Sequence, residues 1–153
     1  MTATATRLFV CFDAEQDDDL RLLFARQCVA PASMLSIVDW SHGESPHAGW
    51  EQKLRERMDQ VDAVVVLCGE ATHTASNVSR EFGIAQQQDK PYVLLWGRRT
   101  GTCTRPATAL VADHFYSWSW SVLTEQIRNA IRLKLDPLGI ERATLLGIRT
   151  RRP

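Results

Sequence analysis

The stretch VVVLCGEATHTASNVSREFGIA, residues 64–85, joins a run of aliphatic residues to a helix-like segment through a turn rich in Thr, Ser, His and Asn. The aliphatic run is continuous and does not alternate with polar residues, which is typical of a strand buried on both faces. In the second half, Val78, Phe82 and Ala85 recur at intervals that place them on one face of a helix. The stretch therefore predicts a buried strand, a polar turn and a helix in direct succession.

Glu81 is the carboxylate of this predicted helix. It lies three residues after Val78 and four before Ala85, so we expect it at the edge of the buried stripe. Ser76 and Asn77 are good N-cap residues, and a helix that begins near them points its free amides and positive dipole end towards the end of the strand. Glu81 can then face a crevice at that edge. The alternative is an exposed first-turn acid that only favours the helix dipole.

The same alternation of apolar runs and amphipathic segments continues along the chain. The predicted strands are residues 7–12, 35–39, 63–68 and 92–96, with a short fifth strand within 114–118. Strands that are apolar throughout and alternate with helices indicate a parallel sheet covered on both faces. We therefore predict an α/β fold: a flavodoxin-like, doubly wound parallel sheet of about five strands in the order 2-1-3-4-5.

This strand order also predicts where a ligand binds. The first and third strands are neighbours, and ligands bind beyond the carboxyl ends of strands at such a switch point. DAEQDD at residues 13–18 follows the first strand, and GEATHTASN at residues 69–77 follows the third. Both segments are polar, so the candidate site lies between them.

Length and charge limit the remaining possibilities. The chain of 153 residues fits one domain, which we place at residues 7–135 between an N-terminal tail (1–6) and a C-terminal extension (136–153). Its 18 basic and 18 acidic residues give no net charge, which argues against a nucleic-acid or anionic-membrane partner. The basic ending RTRRP is interpreted as a solvated tail.

Cysteine and histidine usage points to a reduced protein without a metal. The four cysteines are far apart and form no C-x-x-C pair, and no stretch approaches the roughly 18 apolar residues of a membrane span. The first residues contain no apolar core of a signal peptide, so we predict a cytoplasmic location. His42 and His47 lie in a Gly/Ser/Pro-rich loop, and no third residue has the spacing of a metal ligand.

Three segments carry a resemblance to a known family. They are RLFVCFDAEQDD at residues 7–18, DW at 39–40, and residues 50–96, which contain the hydrophobic strand, the Gly-Thr/Ser turn and the helix with its glutamate. Together they resemble the TIR-like domains of bacteria, in particular the family of the Thoeris anti-phage TIR sensor enzymes (ThsB-like). Family members often have Trp where this chain has Val78.

The resemblance implies an enzyme that breaks the bond between nicotinamide and ribose in NAD, with NAD as substrate and no separate cofactor. The helix glutamate of the family is the essential residue, and it corresponds to Glu81. A carboxylate suits this chemistry because the ribose C1 develops oxocarbenium character as neutral nicotinamide leaves.

The resemblance also implies a set of substrate-binding residues. Phe12 and Asp13 would line the nucleotide side. Asp39, Trp40 and Ser41 begin the long loop that in TIR domains covers the site and contacts neighbouring subunits, which implies a homo-oligomer. The segment after the third strand would supply the remaining contacts to the substrate: Gly69, Thr72, His73 and Asn77.

Three other functions are compatible with parts of this pattern. A two-component receiver shares the fold but needs an Asp at the end of the third strand, where this chain has LCGE, residues 67–70. A nucleoside deoxyribosyltransferase-like enzyme also directs a carboxylate at a ribosyl C1. A non-enzymatic TIR module would signal by self-association and would survive replacement of Glu81, whereas either enzyme would not.

The output of such an enzyme is predicted from the size of the chain. The predicted strands and helices use nearly all of the 153 residues, so we expect no fused effector in this chain. The signal is then expected to be a diffusible cyclic ADP-ribose-type nucleotide that a separately encoded effector reads. A partly closed crevice favours intramolecular capture of the ribosyl C1 over attack by water.

Overall fold

The described part of the chain contains five strands and four α-helices, which alternate up to the fourth strand; the fifth strand then follows with no helix between. The structure is a computed structural model that describes residues 5–30, 33–42 and 48–135, without the side chains of residues 134 and 135. The strands are β1 (Thr6–Phe12), β2 (Leu35–Trp40), β3 (Ala63–Cys68), β4 (Tyr92–Trp96) and β5 (Phe115–Ser117). The helices are α1 (Asp18–Cys28), α2 (Trp50–Asp59), α3 (Ser76–Gln87) and α4 (Trp120–Leu135), and a short 3-10 turn (Thr72–Thr74) precedes α3.

The strands form one parallel sheet in the order β2-β1-β3-β4-β5. This order confirms the predicted flavodoxin-like, doubly wound α/β fold. β1 and β3 are central neighbours, so the predicted switch point lies at their carboxyl ends. β1 begins one residue before its predicted start, and β2 ends one residue beyond its predicted end.

Two apolar cores cover the two faces of the sheet. Residues of β1 alternate between them: Phe9 and Cys11 face the core completed by α2 and α3, while Val10 and Phe12 face the core completed by α1 and α4. This alternation follows from the two-residue period of a strand. Cys11 therefore points towards the helix that carries Glu81.

A bulge in β2 changes the direction of the side chains at its end. Leu8 pairs with Ile37, but Phe9 pairs with Asp39, so Val38 is the extra residue. Because side chains alternate along a strand, the extra residue reverses which face the next residues point to. Asp39 consequently faces the same core as Phe9 and α2.

The buried carboxylate of Asp17 links the segments beyond β1, β3 and β4. Arg98 donates to an Asp17 oxygen at 2.7 Å and pairs with Asp19 at 2.5 Å. The Asp17 carboxylate lies against Gly69, where an added Cβ would meet its oxygens at 2.2 and 2.5 Å. A side chain at position 69 would thus displace Asp17, so this glycine is required for the close approach of the two segments.

Candidate active site

Glu81 lies in α3 at the carboxyl ends of β1 and β3, and only 6% of its surface is exposed. The Ser41 hydroxyl donates to its Oε2 at 2.5 Å, and the Cys11 thiol lies 3.7 Å from the same oxygen in donor geometry. The Asn77 amide donates to Oε1 at 3.3 Å. Three donors from three parts of the chain therefore surround one buried carboxylate.

Ser41 reaches Glu81 because β2 and β1 hold it in place. Its backbone N–H donates to the Val10 carbonyl at 2.9 Å, and its Oγ accepts from the Phe12 N–H at 3.0 Å. Since Oγ accepts from Phe12, its own proton is free to be donated to Glu81. The hydroxyl thus connects the end of β1 to the carboxylate.

Burial raises the pKa of Glu81 to about 7. The hydrogen bonds from Ser41 and Asn77 oppose this shift, and so do the positive charge of Arg57 and the contact with Cys11. Burial has the larger effect, so the carboxyl exchanges its proton near neutral pH. Perturbed pKa values of this kind occur frequently at catalytic sites.

The end of β2 is linked to α2 by an ion pair. Arg57 donates to both carboxylate oxygens of Asp39, at 2.5 and 2.9 Å, and to the Trp40 carbonyl at 3.1 Å. Burial alone would raise the pKa of Asp39, but the hydrogen bonds from Arg57, the Trp40 N–H and His42 outweigh it and hold the pKa below its usual value. Asp39 is therefore an anion that holds Arg57 close to Glu81.

Trp40 lies beside this ion pair and is partly exposed, at 37%. The His42 ring stacks on it with a centroid distance of 5.6 Å, and the Arg21 guanidinium lies 5.5 Å from its centroid. His42 also lies 3.2 Å from an Asp39 oxygen. The Trp40 ring thus contacts two cationic or titratable side chains at the start of the loop that leads to α2.

Asn77 has a different role from the predicted one at the start of the helix. The N-cap of α3 is Ala75, and no side chain caps the helix, so the prediction that Ser76 or Asn77 is the N-cap was wrong. Asn77 lies inside the first turn, and its amide donates to the Phe12 carbonyl at 2.8 Å as well as to Glu81. The Asn77 side chain therefore bonds to groups across the switch point and does not cap the helix.

Comparison with known proteins identifies the family. The family model described as Thoeris protein ThsB, TIR-like domain, matches residues 9–100, which is more than half of the chain. The chain belongs to this TIR-like family. Among solved structures, a 3-dehydroquinate dehydratase-like protein from Bifidobacterium longum is similar over 84% of this chain and 97% of its own, with 16% identity and a TM-score of 0.46. None of the proteins with curated descriptions matches the chain.

In this TIR-like domain, Phe12, Ser41, Asn77 and Glu81 form one connected set of hydrogen bonds. Asp39 adjoins this set through its partner Arg57. Trp40, another predicted binding residue, lies at the end of β2, and the remaining ones lie in the turns after β1 and β3.

Asp13 shapes the turn after β1. Its Oδ1 accepts from the backbone N–H groups of Glu15 and Gln16, at 3.0 and 3.3 Å, and the residue is buried. Such side-chain bonds to the following backbone are typical of Asx turns. Contact between Asp13 and a substrate stays a prediction.

The segment after β3 is held by its own contacts. The Thr72 hydroxyl is buried and accepts from the Gly69 N–H at 2.7 Å. The His73 ring lies 2.8 Å from the Thr104 hydroxyl, and Thr104 donates its N–H to the Gly69 carbonyl at 2.8 Å. Substrate contacts by Gly69, Thr72 and His73 likewise stay predictions.

Two residues of the TIR-like site were absent from the sequence-based set. These residues are Cys11 and Arg57. In the sequence, Cys11 is typical of a small hydrophobic residue in an apolar strand, and Arg57 is typical of a charged residue on an amphipathic helix. The two-residue period of β1 could have placed Cys11 opposite α3 once the faces of the sheet were assigned. Arg57 follows Leu54 by three residues, which places it beside the buried stripe of α2.

The described part of the TIR-like domain contains neither a metal-binding cluster nor a spanning helix. No three His, Cys, Asp or Glu side chains in residues 5–30, 33–42 and 48–135 are grouped so that they could hold a metal ion. No helix within these ranges has the length and apolar character needed to cross a membrane. His47 and most of the loop between Trp40 and Trp50 lie outside the described residues.

Proposed function

We propose that this TIR-like domain cleaves the bond between nicotinamide and ribose in NAD, with Glu81 as the catalytic residue. The observation that carries the proposal is a buried carboxylate at the switch point, with a pKa raised to about 7 and donors on both oxygens. A carboxylate that serves only to favour the helix dipole would be exposed to solvent. Membership of a Thoeris TIR-like family supports the choice of substrate and a role in anti-phage defence.

The reaction requires stabilisation of positive charge at the ribose C1. The C1–N bond breaks with both electrons going to the nicotinamide nitrogen, which becomes neutral, while C1 and the ring oxygen share the positive charge. Ionised Glu81 stabilises this oxocarbenium by its charge or through a hydrogen bond from a ribose hydroxyl. An oxygen or base nitrogen of the same molecule, or water, then bonds to C1, and a proton leaves that nucleophile if it carried one.

We further propose a cyclic ADP-ribose-type product. A catalytic carboxylate with little solvent access favours capture by a group already held in the site, because that group has a high effective concentration relative to water. A separately encoded effector would read the diffusible product. The protein would act in the cytoplasm as a homo-oligomer, with the loop after Trp40 contributing to assembly or to closure of the site.

The experiment is to incubate purified protein with NAD and to separate the nucleotides by chromatography and mass spectrometry, at high protein concentration and with extracts of infected cells. Release of nicotinamide together with a cyclic species is the expected result. Linear ADP-ribose alone would support simple NAD depletion. Base exchange on deoxynucleosides without NAD cleavage would favour the deoxyribosyltransferase-like alternative. No turnover of either substrate under all these conditions would favour a non-enzymatic interaction module.

The rate of NAD cleavage is expected to rise with pH around neutrality. The ionised form of Glu81 is the reactive one, and its pKa of about 7 places the midpoint of kcat/KM near that pH. Activity should therefore be low at pH 5.5 and reach a plateau above pH 8. Initial rates measured across this interval check the prediction, and a profile that is flat between these limits would contradict it.

Replacement of Trp40 by Ala is expected to lower NAD cleavage more than it lowers the melting temperature. Loss of the ring frees His42 and Arg21 beside the Asp39–Arg57 pair, whereas the residue is already 37% exposed and lies outside the two cores of the sheet. Rates and melting curves of Trp40→Ala are compared with those of Val38→Ala, an exposed position in the same strand. Proportional losses of activity and stability in Trp40→Ala would indicate an ordinary packing role.

A further inference from the structure

The two oxygens of Glu81 have different surroundings. Oε2 faces the Ser41 hydroxyl at 2.5 Å and the Cys11 sulfur at 3.7 Å. Oε1 has one amide donor, from Asn77 at 3.3 Å, and that amide makes a shorter bond of 2.8 Å to the Phe12 carbonyl. Oε2 is therefore held by two donors from outside α3, whereas Oε1 keeps capacity for a further donor.

Cys11 can serve as a donor because it stays a neutral thiol. The residue is fully buried, and burial together with the neighbouring Glu81 charge raises the pKa of its thiol well above the ordinary value. A neutral thiol can donate a weak hydrogen bond to a carboxylate oxygen, and the sulfur–oxygen distance of 3.7 Å is consistent with one. No reactive thiolate is involved.

The charged groups near Glu81 do not take the place of the hydrogen bond from Cys11 to Oε2. Arg57 approaches from α2, and its positive charge favours the ionised carboxylate, while its guanidinium donates hydrogen bonds to Asp39 and the Trp40 carbonyl. Asp39, at the end of β2, is neutralised by that pairing. Direct donation to Oε2 thus comes from Ser41 on the β2 side and from Cys11 on β1.

We propose that Cys11 is a positioning residue that, with Ser41, fixes Oε2 of Glu81 and thereby presents Oε1 to the ribose of the substrate. The contact between Cys11 and Glu81 is supported by the geometry, whereas the presentation of Oε1 to the ribose rests on the proposed function. The terminal torsion angle of a glutamate side chain otherwise has a broad distribution. Two donors on one oxygen therefore select one orientation of the carboxylate. A productive geometry held before the substrate arrives lowers the barrier to reaction.

The pairing is tested without any enzymatic turnover. Full-length protein labelled with ¹³C at the glutamate side-chain carboxyl is titrated by NMR, and the Glu81 resonance is assigned by its loss in Glu81→Gln. Loss of a donor to the ionised form raises a carboxyl pKa. We expect an upward shift of about half a unit in Cys11→Ala and of about one unit or more in Ser41→Ala, as the loss of one hydrogen bond would give.

The controls separate a hydrogen bond from packing. Cys11→Ser keeps a donor of similar size and is expected to leave the Glu81 titration at or below its original midpoint. Cys28→Ala removes a buried thiol from the other core and should leave it unchanged. An unshifted Glu81 resonance in Cys11→Ala, or the same upward shift in Cys11→Ser as in Cys11→Ala, would overturn the pairing. If Cys11→Ala does not fold, Cys11→Val provides the donor-free variant.

Kinetics then test the link to the reaction. Cys11→Ala is expected to lower kcat for NAD cleavage severalfold with little change in KM, and Cys11→Ser is expected to restore it. An unchanged kcat in Cys11→Ala would overturn the positioning role even if the titration shifts. Absence of NAD cleavage in the wild-type protein would instead reject the proposed function, and the NMR result would still decide the Cys11–Glu81 pairing.

Discussion

Glu81→Gln is expected to reduce NAD cleavage by at least about a hundredfold, because the amide keeps the volume of the side chain but lacks the charge that stabilises the oxocarbenium. The same change is expected to stabilise the fold at pH 8. Burial in the folded protein raises the pKa of Glu81 from its ordinary 4.5 to about 7. The stability that its protonation contributes is therefore complete below pH 4.5 and is lost as the pH rises through 7.

Gln has no charge to desolvate, so the variant should gain on the order of 2 to 3 kcal/mol over the wild type at pH 8. The gain should disappear below about pH 3.5, roughly one unit under the ordinary pKa of 4.5, where Glu81 is protonated in both the folded and the unfolded state. Denaturant unfolding at the two pH values, paired with nicotinamide release, measures both effects. Ser76→Ala, at an exposed position in the first turn of α3, serves as the control for a change in the same helix. Activity within a few-fold of wild type in Glu81→Gln would remove Glu81 from the mechanism.

Arg98→Met is expected to destabilise the fold by about 3 kcal/mol at neutral pH, because it leaves the Asp17 carboxylate buried without its partner. Burial already raises the pKa of Asp17, although the hydrogen bond and charge of Arg98 oppose the shift. One Asp17 oxygen has no hydrogen-bond partner even in the intact structure. Loss of Arg98 should therefore raise the Asp17 pKa further, and the variant should recover stability as the pH falls and Asp17 becomes protonated.

Thermal unfolding of three variants checks this interpretation. Arg98→Met should lower the melting temperature by about 10 °C at pH 7.5 and by less at pH 5. Adding Asp17→Asn to Arg98→Met removes the buried charge and should restore much of the loss. Arg99→Met changes the adjacent, exposed arginine and should have little effect. Equal losses in Arg98→Met and in the double variant at both pH values would show that packing, not the unpaired charge, is responsible.

The sequence alone determined the class of fold and the position of its central carboxylate. Continuous aliphatic runs gave the bounds of β3 and β4 to the residue, because a strand buried on both faces can contain little else. Helical spacing placed Glu81 beside the stripe formed by Val78 and Ala85, and all three are buried. These properties depend on neighbours within one or two helical turns, so a local pattern is enough to predict them.

The tertiary structure decided which atoms surround Glu81. Ser41 reaches Glu81 because Val38 is an extra residue in β2. A bulge depends on how two strands pair, so the sequence of either strand alone does not predict it. Asn77, which was predicted as a candidate helix cap, instead donates to Phe12 and Glu81, because those partners lie across the switch point. Cys11 became part of the site only when β1 was packed against α3. Periodicity specifies the face on which a side chain lies, but hydrogen bonds between distant residues depend on positions that only the assembled sheet and helices fix.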